Sequence, residues 1–408
     1  MIDLIKFRNY KSFKDVQELE FKPITILIGK NSSGKSAIAK LPTLIEGSLS
    51  GKFEDPLLVI NEGVELGAEF RDLIYGREIG SLELVLKSKS KMLTIEITSG
   101  LKDNEFPRIR KWKLNNEIQL SYDDIKKSYT DDETNINYKC GFSGFELEQM
   151  FDLDKDSVSE SISSLKENGI TLKTNYIGPF RQVPERTYNI GGTGRIAKIG
   201  NKGENAYQIL ISDFLFNEGK LLKEVSDWYK THFDGWGIEI NSTAKPEYKV
   251  EMTRDIPKFN INIRDVGEGM SQALPLVVSA LMQSNDEMLT IIEQPELHLH
   301  PAAHGSLAEL FAKASRIKSK HFLIETHSQN FILRFRRLVA EGIINKDDII
   351  IYSVEYDEEN NTSSLKKITI TDFGAVTYWP ENVFSETLDE TIAIRSAQIK
   401  REKDGNKD

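Results

Sequence analysis

The chain has 408 residues, 39% of them apolar and 28% charged, enough for about two domains with a sizeable core. Its net charge of −10 argues against non-specific nucleic-acid binding by the chain as a whole. The single cysteine, Cys140, excludes an intramolecular disulfide and suits a reducing cytoplasm. The amino terminus has no signal-peptide layout, and no apolar run reaches the ~20 residues of a membrane span.

In chain order, Leu4–Phe7 and Val16–Phe21 read as strands, joined by the polar and aromatic turn Arg8–Phe13. Ile24–Ile28 is a β-branched apolar run and reads as a buried strand. Gly29-Lys30-Asn31-Ser32-Ser33-Gly34-Lys35-Ser36 follows it and fits G-x-x-x-x-G-K-[ST] at every fixed position. A helix is expected from Ser36. Strand, glycine loop and helix together wrap backbone N–H groups around phosphates. Gly29, Asn31, Ser32, Ser33 and Gly34 supply the cradle, Lys35 reaches the β- and γ-phosphates, and the Ser36 hydroxyl holds Mg²⁺.

Residues 65–122 read as a β-rich arm, with strands at Leu82–Leu86, Met92–Ile97 and Arg108–Leu114. The basic strand Arg108–Lys113 could touch nucleic acid. Residues 122–170 read as a helical lobe, from apolar spacing at Phe145–Phe151 and Val158–Leu165. A strand at Leu172–Ile177 leads into Gly178-Pro179-Phe180-Arg181, a candidate active-site loop. Ala206–Phe233 reads as helix broken near Gly219, and three short strands follow up to Ile263.

Gly267-Glu268-Gly269-Met270-Ser271-Gln272 reads as a glycine turn opening a helix from Ala273 to Met282. The Ser271 hydroxyl is expected to face an anion, and Pro275 to lie in the first turn, where donors are unused. Met288–Ile292 is a buried-strand run ending in Glu293-Gln294-Pro295-Glu296. A carboxylate there, downstream of a P-loop, handles Mg²⁺ and the attacking water. Glu293 is the metal-side acid; Glu296 or Gln294 positions the water, and only Glu296 can act as a base. A further strand, Lys320–Glu325, ends at Thr326-His327-Ser328, placing His327 beside the γ-phosphate. Residues 349–370 read as a hairpin, and residues 395–408 as a charged, disordered tail.

Taken together, Gly29–Ser36, Gly178–Arg181, Gly267–Gln272, Glu293–Pro301 and Glu325–Ser328 resemble the ABC-type heads of the SMC and RecF superfamily. More closely they resemble standalone AAA-type ATPases related to the OLD family, without its Toprim nuclease domain. The resemblance implies an α/β, ABC-type P-loop NTPase head with an N-terminal antiparallel β subdomain: the first part of the head with the P-loop (residues 1–60), an inserted β-rich arm and helical lobe (61–171), the second part of the head (172–385) and a charged tail (386–408). It implies that Gly267, Gly269 and Ser271, with Gln272 beside them in the nucleotide site, act as a signature motif closing on ATP held by a second copy, and that His327 is a switch histidine. A homodimer with composite ATP sites follows, extending to higher oligomers. Such small ATPases often work beside a separate nuclease or toxin in anti-phage defence. Where related heads carry Asp-Glu at the strand end, this chain has Glu293-Gln294, which moves the base to Glu296 or favours a scaffold that binds ATP with little turnover; the basic strand Arg108–Lys113 keeps a RecF-like DNA-repair or DNA-clamp ATPase as the other rival.

Overall fold

The computed structural model describes all residues except 79, 100–105, 159–168, 192–195, 285, 381–382, 385 and 406–408. Its centre is a six-stranded sheet in the order Thr174–Ile177, Met288–Glu293, Lys320–Glu325, Ile24–Ile28, Ile349–Asp357, Thr362–Ile368. The first five run parallel and the last is antiparallel. Every residue of Ile24–Ile28 is buried, as a run of apolar and β-branched residues flanked on both sides requires. Burying one such side chain stabilises by about 1.5–3 kcal/mol. The parallel strands therefore end together, and the chain leaves that edge at Gly29, Gly178, Gln294 and Thr326. Ligands of open α/β sheets bind at this edge.

A ten-stranded antiparallel sheet lies beside it. Gln17–Glu20 forms one edge and Leu4–Arg8 comes next; Leu4–Arg8 then pairs with Ser81–Ser88, from which a meander runs on to Ser157–Val158. The arm thus continues the N-terminal strand pair as one sheet. The helical reading of Phe145–Phe151 is overturned, because Glu146–Asp152 is a strand paired with Asn137–Ser143. Gly141 faces Gln149 and Phe142 faces Leu147, which leaves Glu148 as a bulge. One extra residue turns the alternation of two into a spacing of three, with Leu147 and Met150 both inward, and so imitates a helix. Of the second helical stretch, 159–165 lies outside the described residues. The tail expectation is also corrected: Glu386–Gly405 is a helix. Its Glu, Lys, Arg and Ala content favours helix as much as it disfavours a core.

A smaller sheet of Gly237–Ala244, Glu247–Arg254, Phe259–Asn262 and Tyr188–Asn189 packs against the helices Ala206–Phe216 and Lys220–His232. Those two are separated at Gly219, whose φ of 63° is left-handed. The basic strand Arg108–Leu114 is partly neutralised: Arg108 stands 3.8 Å from Asp124, and Arg110 and Lys111 stand 3.9 and 3.3 Å from Glu96.

Candidate functional site

The helix after the glycine loop runs Lys35–Leu49, with Gly34 at its N-cap and no side chain capping it. By contrast, Ser328 caps the helix Gln329–Ala340 and His300 caps Pro301–Ala314. Lys35–Leu49 keeps its free N–H groups open toward the loop, which suits an anion. Gly29 has φ 143°, and a Cβ there would stand 2.4 Å from the Val354 carbonyl oxygen, so no other residue fits. Lys30, Asn31 and Ser32 are exposed, and Ser33 is buried with its carbonyl held by the Ser363 hydroxyl at 2.8 Å. The Lys35 ammonium folds back onto the carbonyls of Gly29 and Lys30 at 2.9 and 2.6 Å. Burial lowers its pKa, and Glu325 opposes that.

Glu293 and Glu325 are register partners on adjacent parallel strands and are 4% and 2% exposed. The Ser36 hydroxyl donates to Glu325 at 2.9 Å, and the Tyr176 hydroxyl donates to Glu293 at 2.8 Å. Burial first, then the neighbouring Glu325 charge, pushes Glu293 up to about 7; burial also raises Glu325. Two buried carboxylates this short of positive charge are matched to a divalent cation. Sequence reasoning named Ser36 and Glu293 but missed Glu325 and Tyr176. The available signal for Glu325 was that two apolar strand runs, Met288–Ile292 and Phe322–Ile324, each end in Glu.

Glu296 accepts from the His327 backbone N–H with one oxygen and has the Thr326 side chain beside its carboxylate, while its other oxygen is buried with no well-aligned hydrogen bond among the described residues. Burial raises its pKa. The His327 ring lies 4.0 Å from Glu325, and burial, then Lys35, lowers its pKa, so the ring is neutral at pH 7. Gln294 has φ 46°; its N–H donates to the Glu325 carbonyl at 2.8 Å and its carbonyl accepts from Arg181 at 3.0 Å. Lys35, Ser36, Glu293, Gln294, Glu296 and His327 thus meet at one sheet edge.

The glycine turn is corrected in detail. Its helix begins at Glu268, not Ala273, with Gly267 at the N-cap and no side-chain cap. This earlier start turns Ser271 and Gln272 inward. Both are buried; the Ser271 hydroxyl donates to the Glu268 carbonyl at 3.1 Å, and the Gln272 amide to the Arg181 carbonyl at 3.3 Å. Both side chains are thus turned to partners within the chain. Pro275 consequently lies in the helix interior, where it supplies no N–H to the Ser271 carbonyl. The Tyr207 hydroxyl donates to that carbonyl instead, at 3.4 Å. Gly269 packs on the turn Leu297–Leu299: a Cβ would stand 2.8 Å from the His298 carbonyl oxygen. Gly267 is exposed, with φ −59° and nothing within 4 Å of an added Cβ. Among the described residues, nothing requires glycine there.

Among solved structures, the chain is similar to an SMC head bound to the C-terminal winged-helix domain of ScpA, with TM-score 0.50 and 12% identity over 90% of this chain and 98% of that one. The SMC head of Thermotoga maritima scores 0.44 at 11% identity over 90% and 99% of the two chains. The Pyrococcus furiosus Smc head with an extended coiled coil, bound to the C-terminal domain of ScpA, scores 0.44 at 12% identity over 97% and 99%. At such identity the first of these likenesses speaks for the fold. No curated protein matches the chain. A family model described as an AAA ATPase domain matches residues 1–44 and 86–332, well over half of the chain. The chain belongs to the AAA ATPase domain family and has the mixed α/β fold of an SMC-type head.

Proposed function

We propose that the chain binds ATP with Mg²⁺ at the shared edge of the parallel strands and hydrolyses it. The observation that carries this reading is the convergence of an uncapped helix N-terminus, Lys35 and Ser36 with the carboxylates Glu293, Glu296 and Glu325. The backbone of Gly29, Asn31, Ser32, Ser33 and Gly34 receives the phosphates, and Lys35 leaves its loop carbonyls to meet them. Ser36, Glu293 and Glu325 are the groups that would hold Mg²⁺, which when bound neutralises phosphate charge. Glu296 is the general base: its raised pKa and an oxygen without a well-aligned bond suit a group that accepts a proton from water. Neutral His327 hydrogen-bonds phosphate or water, and the Gln294 turn helps place that water.

The signature role falls to the exposed Gly267 turn and the N–H groups behind it. They would close on nucleotide held by a second copy, giving a dimer with two composite sites. From the resemblance alone, the dimer would act as a switch for a separate effector, a nuclease or toxin, in bacterial anti-phage defence. A cytoplasmic setting fits the one cysteine. The ion pairs on Arg108, Arg110 and Lys111 weaken the rival DNA-clamp reading.

Radiolabelled ATP binding and turnover test the core of this reading. Lys35→Ala should bind ATP at least ~100-fold more weakly, and Glu296→Gln should bind normally while turnover falls ~10²–10⁴-fold. Unchanged binding by Lys35→Ala would move the site elsewhere; unchanged turnover by Glu296→Gln would remove Glu296 as base. For the effector role, failure to co-purify with any protein encoded alongside, together with no protection against phage, would sink it.

A further inference from the structure

One residue, Arg181, lies between the strand end that carries the hydrolytic carboxylate and the signature helix, and the bonding of its side chain is incomplete. Arg181 is only 6% exposed. A terminal nitrogen of its guanidinium donates to the carbonyls of Glu293 and Gln294 at 3.2 and 3.0 Å. Its own carbonyl accepts from Gln272 of the signature helix. Among the described residues, the Nε and Nη1 atoms are buried without hydrogen-bond partners, and Oε2 of Glu296 is buried without a well-aligned one. A buried donor or acceptor left unpaired costs ~1–3 kcal/mol, more when charged. Burial dominates both groups, raising the pKa of Glu296 and lowering that of Arg181, and their mutual attraction opposes each shift. No hydrogen bond joins them. An acid and a guanidinium, both buried and each with a polar atom lacking a well-aligned bond, are two halves of a contact that a second arrangement of the site can complete.

We infer that Arg181 is a positioning residue: it closes onto Oε2 of Glu296 when the signature helix engages nucleotide, and so aims the base. The path is short. Engagement shifts the helix, Gln272 carries the Arg181 backbone with it, and the guanidinium swings from the strand-end carbonyls to the carboxylate. The His327 N–H already holds the other Glu296 oxygen, so closure fixes the carboxylate from both sides. In a dimer, the signature helix of a chain serves the partner's nucleotide while Glu296 serves its own. Arg181 thereby makes hydrolysis in one site depend on closure of the other. This inference rests on the ATP-hydrolysing reading above.

The test compares Arg181→Met, Arg181→Lys and Gln272→Leu with wild type and Glu296→Gln. Two quantities are measured: steady-state hydrolysis, and labelled ATP retained through gel filtration. Arg181→Met should lower kcat ~100-fold with KM within about threefold, and should retain unhydrolysed ATP as Glu296→Gln does. Arg181→Lys should recover part of kcat. Gln272→Leu should lower kcat about tenfold and bring the Hill coefficient for ATP to about 1. If Arg181 merely props up the strand end, Arg181→Met raises KM and loses retained ATP, and the inference falls. It also falls if Arg181→Met turns over ATP at the wild-type rate. Should Arg181→Met not fold, Gln272→Leu decides: unchanged kcat and Hill coefficient overturn the inference. A wild type that binds ATP without hydrolysing it refutes the functional reading itself. A wild type that hydrolyses beside an unimpaired Arg181→Met refutes only the role of Arg181.

Discussion

Substituting Gly267 by Glu separates what the chain needs from what a pair of chains needs. With φ −59°, ψ 143° and no atom within 4 Å of a new Cβ, the position accepts any side chain without strain. A carboxylate at a helix N-terminus is favourable by about 0.3–1 kcal/mol, close to what is lost in replacing an N-cap glycine. The melting temperature of the isolated chain should therefore move by no more than about 2 °C. A triphosphate presented by a second chain would meet the new charge at close range. Two like charges ~4 Å apart at an effective dielectric of ~20 repel by ~4 kcal/mol, roughly a 10³-fold weakening before salt screening. Sedimentation of the Glu296→Gln protein with and without ATP should show an ATP-dependent dimer that Gly267→Glu abolishes, while ATP binding at Lys35 persists. Gly269→Ala is the contrast. Its Cβ would stand 2.8 Å from a backbone oxygen, so it should lower the melting temperature without ATP present. A Gly267→Glu protein that dimerises like its parent, or melts many degrees lower, would refute the reasoning.

Two further predictions concern the carboxylate pair. Because the folded chain raises Glu293 to about 7, the folded state binds more protons than the unfolded one, and nucleotide-free stability should fall as pH rises from ~4.5 through ~7. Glu293→Gln should flatten that fall, by up to about 3 kcal/mol at pH 8, in denaturant titrations across the range; an unchanged slope would show that Glu293 is not the group titrating. Glu325→Gln should raise the Mn²⁺ concentration needed to fill the ATP-loaded site ~10–100-fold, followed by paramagnetic resonance of the bound ion. Equal Mn²⁺ affinity in the two proteins would remove Glu325 from the metal site.

The P-loop, the parallel strands and the helix break at Gly219 were legible because each is a local signal: a fixed glycine spacing, an unbroken β-branched run, a left-handed residue. The site's details depend on distant partners and were not. Tyr176 and Glu325 become site residues only when Thr174–Ile177 and Lys320–Glu325 flank Met288–Glu293 in register. Ser271 and Gln272 match a motif letter by letter, but their direction is set by where the helix starts. A start at Glu268 instead of Ala273 rotates them into the core, since each residue turns the helix by ~100°. At Glu146–Asp152 the bulge at Glu148 imitates the wrong period, and no local feature betrays it.

The central strand Ile24–Ile28 takes both neighbours, Lys320–Glu325 and Ile349–Asp357, from the last quarter of the chain. During synthesis it therefore emerges long before either neighbour and stays without them until residues 320–357 have followed. Bringing ends so far apart together carries a large loop-closure entropy and slows folding. Until then the segment is an unpaired apolar strand open to association. The nucleotide-binding loop gains its flanking strands only with residues 320–357, so products truncated before them should be inert toward ATP.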